Sequence, residues 1–179
     1  MLASRGSFFG LKQGRGAPAW SLHPDSGDLL TLESPPRRWR FPAGRELARK
    51  TQESEQAWGG VFVSTNVLIA RKVFGLTRYD ERLTELPATQ PAWDAHLAAA
   101  HPASGQFALA RHIRTMTPNL LVFTQADGNP VEKFALPVKA LANAMAFDAA
   151  GERLAVVMRD GAVEVFTLAD GRSRFRRER

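Results

Sequence analysis

The last third of the chain carries the plainest alternation of apolar and polar positions. Ala144 to Phe147 is an apolar run ending at Asp148 and Gly151; Leu154 to Val157 is a second and Val163 to Thr167 a third. Asp160-Gly161 and Asp170-Gly171 separate and close them. Val163, Val165 and Thr167 alternate with Glu164 and Phe166, the period of a strand with two distinct faces. Asp-Gly between such runs predicts hairpins, with glycine taking the positive φ of a type I′ turn. The segment therefore predicts strand, turn, strand, turn, strand, turn.

The same layout recurs upstream. Ala99 to Arg111, with Gly105 at its turn, precedes Leu120-Leu-Val-Phe123 and Gly128. Trp20 to Leu32, with Gly27 at its turn, precedes Arg38-Trp39-Arg-Phe-Pro-Ala-Gly44. Trp39 and Gly44, Phe123 and Gly128, and Phe166 and Gly171 are each five residues apart. A weaker copy runs from Val61 to Asp80, with Asn66 in the place of the turn glycine and Tyr79 as its aromatic. Asn, like Gly, tolerates the left-handed region. Trp39, Tyr79, Phe123 and Phe166 then follow one another at 40, 44 and 43 residues, a period expected of four-stranded propeller blades.

These segments resemble WD40-type β-propeller repeats. In that family a strand runs into a Gly turn, a second strand follows, and a third ends in an aromatic followed by Asp. Tyr79-Asp80 matches that ending, Phe123-Thr124 and Phe166-Thr167 are degenerate forms, and Trp39-Arg40 departs further. The family's Gly-His dipeptide ahead of each blade is absent. The resemblance spans residues 17–175. It implies an all-β, propeller-like stack of four-stranded antiparallel blades at 17–50, 56–88, 92–137 and 138–175, with an N-terminal arm at 1–16 and a basic tail at 176–179.

A blade is apolar on both faces and must stack against its neighbours. Two stretches compete with the strand expectation. Gln90 to Ala100 is Ala-rich and suits a helix as well as a strand, and Thr51 to Trp58 suits a short helix. Four repeats also leave closure open, since propellers typically use about 4–8 blades. The alternatives are a closed ring, a sector completed by further blades, and an open stack that forms a homodimer.

Composition narrows the classes. The 179 residues are 44% hydrophobic and 23% charged, ordinary for a folded chain. There is no cysteine, which excludes disulfides, thiolate nucleophiles and cysteine zinc sites. No apolar run reaches the roughly 18 residues of a membrane span, and residues 1–10 lack the apolar core of a secretory signal. The expectation is a cytoplasmic protein without membrane contact. The net charge of +6 is concentrated: residues 37–50 carry +5, residues 172–179 carry +4, and the remainder is −3.

Candidate chemistry is sparse. His23 and His101 both stand in His-Pro at the same repeat position and are read as turn residues, with metal ligation the rival role. His96 and His112 stand alone, and no zinc-type spacing of His with Asp or Glu supports a metal. Asp80-Glu81 and Glu53 with Glu55 read as solvated faces. Lys12-Gln-Gly-Arg-Gly16 does not match a phosphate loop, and no hydrolase elbow or zincin motif occurs. No cofactor and no catalytic residue is expected. Arg37, Arg38, Arg40, Arg45, Arg49 and Lys50 form the candidate binding patch. Strand alternation would pack Trp39 between blades and turn Arg38 and Arg40 to the other face, near solvent. Arg172, Arg174 and Arg176 either form a polar outer strand or belong to a disordered arm.

The function expected from the resemblance is a non-catalytic protein–protein interaction scaffold within a larger bacterial cytoplasmic assembly. Two alternatives come from other classes: a nucleic-acid-binding module using the two Arg-rich patches, and a propeller-type hydrolase or lyase with a central-channel site.

Overall fold

The structure, a computed structural model, describes residues 20–23, 26–31, 35–50, 57–64, 66–71, 75–86, 95–111, 120–126, 129–136 and 138–178. The first sheet holds β1 (Trp20–Leu22), β2 (Asp28–Thr31), β3 (Arg37–Arg40) and β4 (Arg45–Arg49). The second holds β5 (Ala57–Val63), β6 (Asn66–Arg71) and β7 (Gly75–Tyr79). The third holds β8 (Ala95–His101), β9 (Gln106–Arg111), β10 (Leu120–Ala126) and β11 (Asn129–Leu136). The fourth holds β12 (Ala142–Phe147), β13 (Arg153–Met158), β14 (Val163–Thr167) and β15 (Arg172–Arg177). Each sheet is an antiparallel meander in which sequence neighbours pair. The only helical element among the described residues is a 3-10 turn, Pro102–Ser104.

Three of the four blades therefore have four strands. Among the described residues the second has three, and a single bridge from Tyr79 to Glu85 stands where a fourth would pair. The Ala-rich stretch ending at Ala100 is strand from Ala95 onward, because Leu97 and Ala99 face one neighbouring blade and Ala98 and Ala100 the other. Small side chains suit a strand squeezed on both faces. Ala57 and Trp58 open β5, while Thr51 to Gln56 lie outside the described residues, as do residues 1–16. The Arg-rich C-terminal stretch forms the outer strand β15, which takes in Arg176 and Arg177 of the expected tail. Charged side chains on β4 and β15 suit outermost strands, where they discourage pairing with other chains.

The blades stack through their faces. Phe62 of β5 packs toward the first blade with Leu30, Tyr79 and Leu83. Val61 and Val63 of the same strand pack toward the third with Phe107, Leu109 and Phe123. The third blade's opposite face, with Ala108, Ala110, Leu120 and Val122, meets Met145, Leu154, Val156 and Phe166 of the fourth. The first strands lie side by side in the order β1, β5, β8, β12, and the series does not close from β12 back to β1. The fold is a stack of propeller-like blades left open at both ends.

The turns depart from the sequence expectation at both Asp-Gly pairs and at Asn66; at the second pair Asp170 keeps negative φ and the Gly171 N–H donates to Thr167 O at 2.9 Å in a longer loop. Gly161 has φ +86°, but Arg159 and Asp160 keep negative φ, so the turn is not type I′. The Gly161 N–H donates to Met158 O at 3.0 Å, and the Asp160 carboxylate accepts the Ala162 N–H at 3.0 Å. This is a type I turn closed by a left-handed glycine, the pattern of three-residue hairpin loops. Asn66 is not the turn residue of the second blade. It opens β6 opposite Val63, and Ser64 takes the left-handed conformation at φ +58°.

Candidate interaction surface

The Arg-rich segment lies on β3 and β4, and its orientation is the reverse of the one expected. Asp28 is fully buried, and register sets it opposite Arg40 on the face that meets the second blade. Arg38 Nη2 and Nε donate to Asp28 Oδ2 at 2.6 and 3.1 Å, and Arg40 Nε stands 2.7 Å from Oδ1. Arg38 also donates to Glu81 O at 3.0 Å and lies over the Phe62 ring at 5.7 Å. Burial raises the Asp28 pKa, but the hydrogen bonds and charges of Arg38 and Arg40 together outweigh it and hold the carboxyl below its usual range. Arg38 therefore joins the first blade to the second, Arg40 shares the face but binds within its own blade and stays half exposed, and Trp39 is on the opposite face. The cause is Asp28, whose buried carboxylate draws both guanidinium groups inward.

The other members of the patch are also engaged. Arg49 Nε and Nη2 bind Glu46 at 3.1 and 3.0 Å, and Arg37 approaches the same carboxylate at 3.6 Å. The hydrogen bond from Arg49 lowers the Glu46 pKa. Lys50 Nζ donates to Tyr79 Oη at 2.7 Å and pairs with Glu85 at 3.6 Å, tying the first blade to the second. Arg45 alone of the six has no carboxylate partner among the described residues.

His23 and His101 hold neighbouring blades together, a role the shared His-Pro position hints at but does not reveal. The Ser26 N–H donates to His23 Nδ1 at 3.2 Å, so Nε2 carries the proton and donates to Ser64 O of the second blade at 3.0 Å. The buried His101 makes the corresponding reach from the third blade to the fourth, with Nε2 3.2 Å from Ala149 O and Nδ1 2.8 Å from Ser104 Oγ. Gln106 Nε2 adds a bond to Gly151 O at 3.2 Å. The strand β8 carries His96, and His112 lies outside the described residues.

Five of the repeat glycines share one backbone conformation. Gly27, Gly44, Gly105, Gly151 and Gly171 all have φ between +62° and +69°. Gly128 lies outside the described residues. The Asp80 carboxylate accepts the Arg82 and Thr84 N–H groups at 2.9 and 2.8 Å and shapes the turn after β7. Tyr79, Phe123 and Phe166 are buried, and each faces the preceding blade. Trp39 likewise faces away from the following blade, and among the described residues no blade lies against it. It is only half buried and donates through Nε1 to Thr31 Oγ1 at 3.0 Å.

The opposite end is equally bare. Pairing of Phe107 with Phe123 and of Leu154 with Phe166 aligns the third and fourth blades residue by residue. Ala110, Leu120 and Val122 of the third blade, all buried, then correspond to Val157, Val163 and Val165 of the fourth. Those valines face away from the stack: Val157 is 39% exposed, and Phe175, opposite Val165, is 53% exposed. A shallow cleft between the third and fourth blades is lined by Gln106, Lys133, Glu152 and Thr167. Among the described residues, no three His, Asp or Glu side chains gather as metal ligands. No helix among them is long and apolar enough to cross a membrane.

No family model matches the sequence, and no curated protein matches it. Solved structures do match. The β-propeller domain of Cps50 (Swd1) from Myceliophteria thermophila superposes with a TM-score of 0.59 at 15% identity, over 99% of this chain and 56% of that one. The chain thus spans little more than half of the propeller it matches, and the likeness is one of fold: an open run of propeller blades.

Proposed function

We propose that this chain is a non-catalytic protein-interaction scaffold, a WD40-like propeller sector serving as a subunit of a larger bacterial cytoplasmic assembly. The carrying observation is the contrast between equivalent positions. Residues buried between blades in the middle of the stack have less buried counterparts at its ends: Trp39, Val163 and Val165 are partly exposed and Val157 is 39% exposed. Exposed apolar sheet of this kind marks a surface that meets another protein. The rival nucleic-acid role draws less support, because five of the six cations in the β3–β4 patch already have carboxylate partners.

The test is photo-crosslinking of the full chain in its own cells. Photoreactive residues replace Trp20 and Val157 on the end faces, and Glu132 and Arg159 on exposed outer positions. Reproducible capture of one protein in near-stoichiometric yield is expected. Capture of none from any position, or co-purification of salt-releasable RNA or DNA instead, would overturn the scaffold function.

A further inference from the structure

The free faces of the fourth blade and the first, left unpaired among the described residues, carry a chemistry from which an occupant can be inferred. We infer that these faces take a partner protein's β-blades, and that the blade docking on β12–β15 presents an apolar face edged by carboxylates. This rests on the scaffold function proposed above and names the surface and the kind of partner.

Three observations carry it. The first is the repeat register. The apolar inter-blade contacts of the described stack are made by one sheet face on another, and the residues of the free face of β12–β15 are the counterparts of those with which the third blade meets the fourth. Ala155 and Val157 replace Ala108 and Ala110, Val163 and Val165 replace Leu120 and Val122, and Phe175 replaces Phe134. At the other end Trp39 holds the position from which Tyr79, Phe123 and Phe166 each meet a preceding blade. Both faces have the makeup of a blade-to-blade contact rather than of a small-molecule cleft.

The second is charge. The charged side chains that register places on the free face of β13–β15 are Arg153, opposite Thr167, Arg172, also opposite Thr167, and Arg177, opposite Val163. Glu164 lies on the other face, buried toward the third blade. Arg153 and Arg177 have no carboxylate partner among the described residues, and Arg172 reaches Asp170 only at 4.0 Å. Three cations around an apolar centre favour a partner of opposite sign.

The third observation weighs against a second copy as the occupant. The first blade's free face carries Arg37 and Arg49 with Glu46 between them, a net charge of one positive, so a head-to-tail copy would set a net positive face against Arg153, Arg172 and Arg177.

The experiment uses the full chain and a synthetic probe. The probe is a disulfide-closed β-hairpin with Val and Phe at the centre of one face and Glu at that face's four corners. A second hairpin carries Lys at the corners. Calorimetric titration is expected to show saturable binding of the Glu hairpin, at least tenfold weaker binding of the Lys hairpin, and at least tenfold weakening by Val157→Asp. Val157 is partly exposed, so this variant is expected to keep the parent melting temperature within a few degrees, and Val157→Ser is the milder second variant. Equal binding of the two hairpins, or binding indifferent to both Val157 variants, overturns the inference. So does a concentration-dependent dimer of the chain alone that Val157→Asp dissolves, which would make the occupant a second copy. In the crosslinking experiment, capture through Glu132 or Arg159 but never through Val157 would leave the scaffold function standing and remove this docking face.

Discussion

The ring of His101 fills the space that a side chain on Gly151 would need. A Cβ at Gly151 would lie 2.5 Å from His101 Nδ1 and 2.9 Å from Cε1, and Gly151 sits at φ +69°. The ring cannot swing aside without losing Ser104 and Ala149, its partners on two blades. Gly151→Ala is therefore expected to cost about 2 to 4 kcal/mol, combining left-handed strain with a broken latch. Gly44 provides the control, since it has φ +67° but nothing within 4 Å. Gly44→Ala is expected to cost only about 1 kcal/mol. Denaturant unfolding of the two variants measures the difference.

Asp28 gives the fold an acid sensitivity of known sign. Its pKa is depressed in the folded state, so the Asp28 contribution is fully present above the unfolded value of about 3.9. It is lost as pH falls through the lower folded value. Asp28→Ala leaves the mostly buried Arg38 without its carboxylate and is expected to cost about 3 kcal/mol at neutral pH. Thermal melts between pH 7 and pH 2 check this. The gap between parent and variant should hold at neutral pH and shrink below about pH 4. A gap that widens on acidification would contradict the sign.

Much of this architecture is written in local patterns. Val163 to Thr167 alternates because β14 has one face against the third blade, and the Asp-Gly pairs mark real turns. What local pattern could not reveal is which way each face looks. Arg38 and Arg40 read as solvent-facing because Arg is usually exposed. Asp28 lies 10 residues from Arg38 in sequence, and only the register of β2 on β3 brings the carboxylate to both guanidinium groups. His23 and Ser64 meet across 41 residues, which no local pattern reports. The doubled His-Pro was the available signal, and the repeat alignment could have paired each histidine with the turn of the following blade. The count of repeats leaves closure undecided, and the makeup of the open ends needed the faces to be assigned.

Glu164 is a fault in the core that the repeat itself suggests how to mend. It occupies the position of Leu121 in the third blade and is 5% exposed, and its Oε2 has no hydrogen-bond partner. A buried carboxylate oxygen without a partner costs about 1 to 3 kcal/mol. Arg176, opposite it in register, keeps Glu178 at 2.9 Å when Glu164 is removed. Glu164→Leu is expected to stabilise the chain by about 1 to 2 kcal/mol. That corresponds to a rise of roughly 2 to 8 °C in melting temperature. A lower melting temperature would show that Glu164 makes an interaction worth more than its burial costs.

Trp39 and Phe123 hold one repeat position in two settings, and truncating both separates fold from function. Phe123 is fully buried and stacks on Phe107 with ring centroids 5.0 Å apart. Phe123→Ala leaves a cavity between two blades and is expected to cost about 3 to 5 kcal/mol. Trp39 faces away from the second blade, and among the described residues no blade covers it, so Trp39→Ala removes less buried contact. Its cost in the isolated chain is expected to be about 1 kcal/mol, most of it the bond to Thr31 and the packing under Arg37. If a partner blade covers that face, the missing contact reappears as affinity, and Trp39→Ala should weaken partner binding at least tenfold while barely moving the melting temperature. Equilibrium unfolding and partner titration on the same two variants make the comparison. A Trp39→Ala variant as unstable as Phe123→Ala would mean that the first blade's outer face is already covered within the chain.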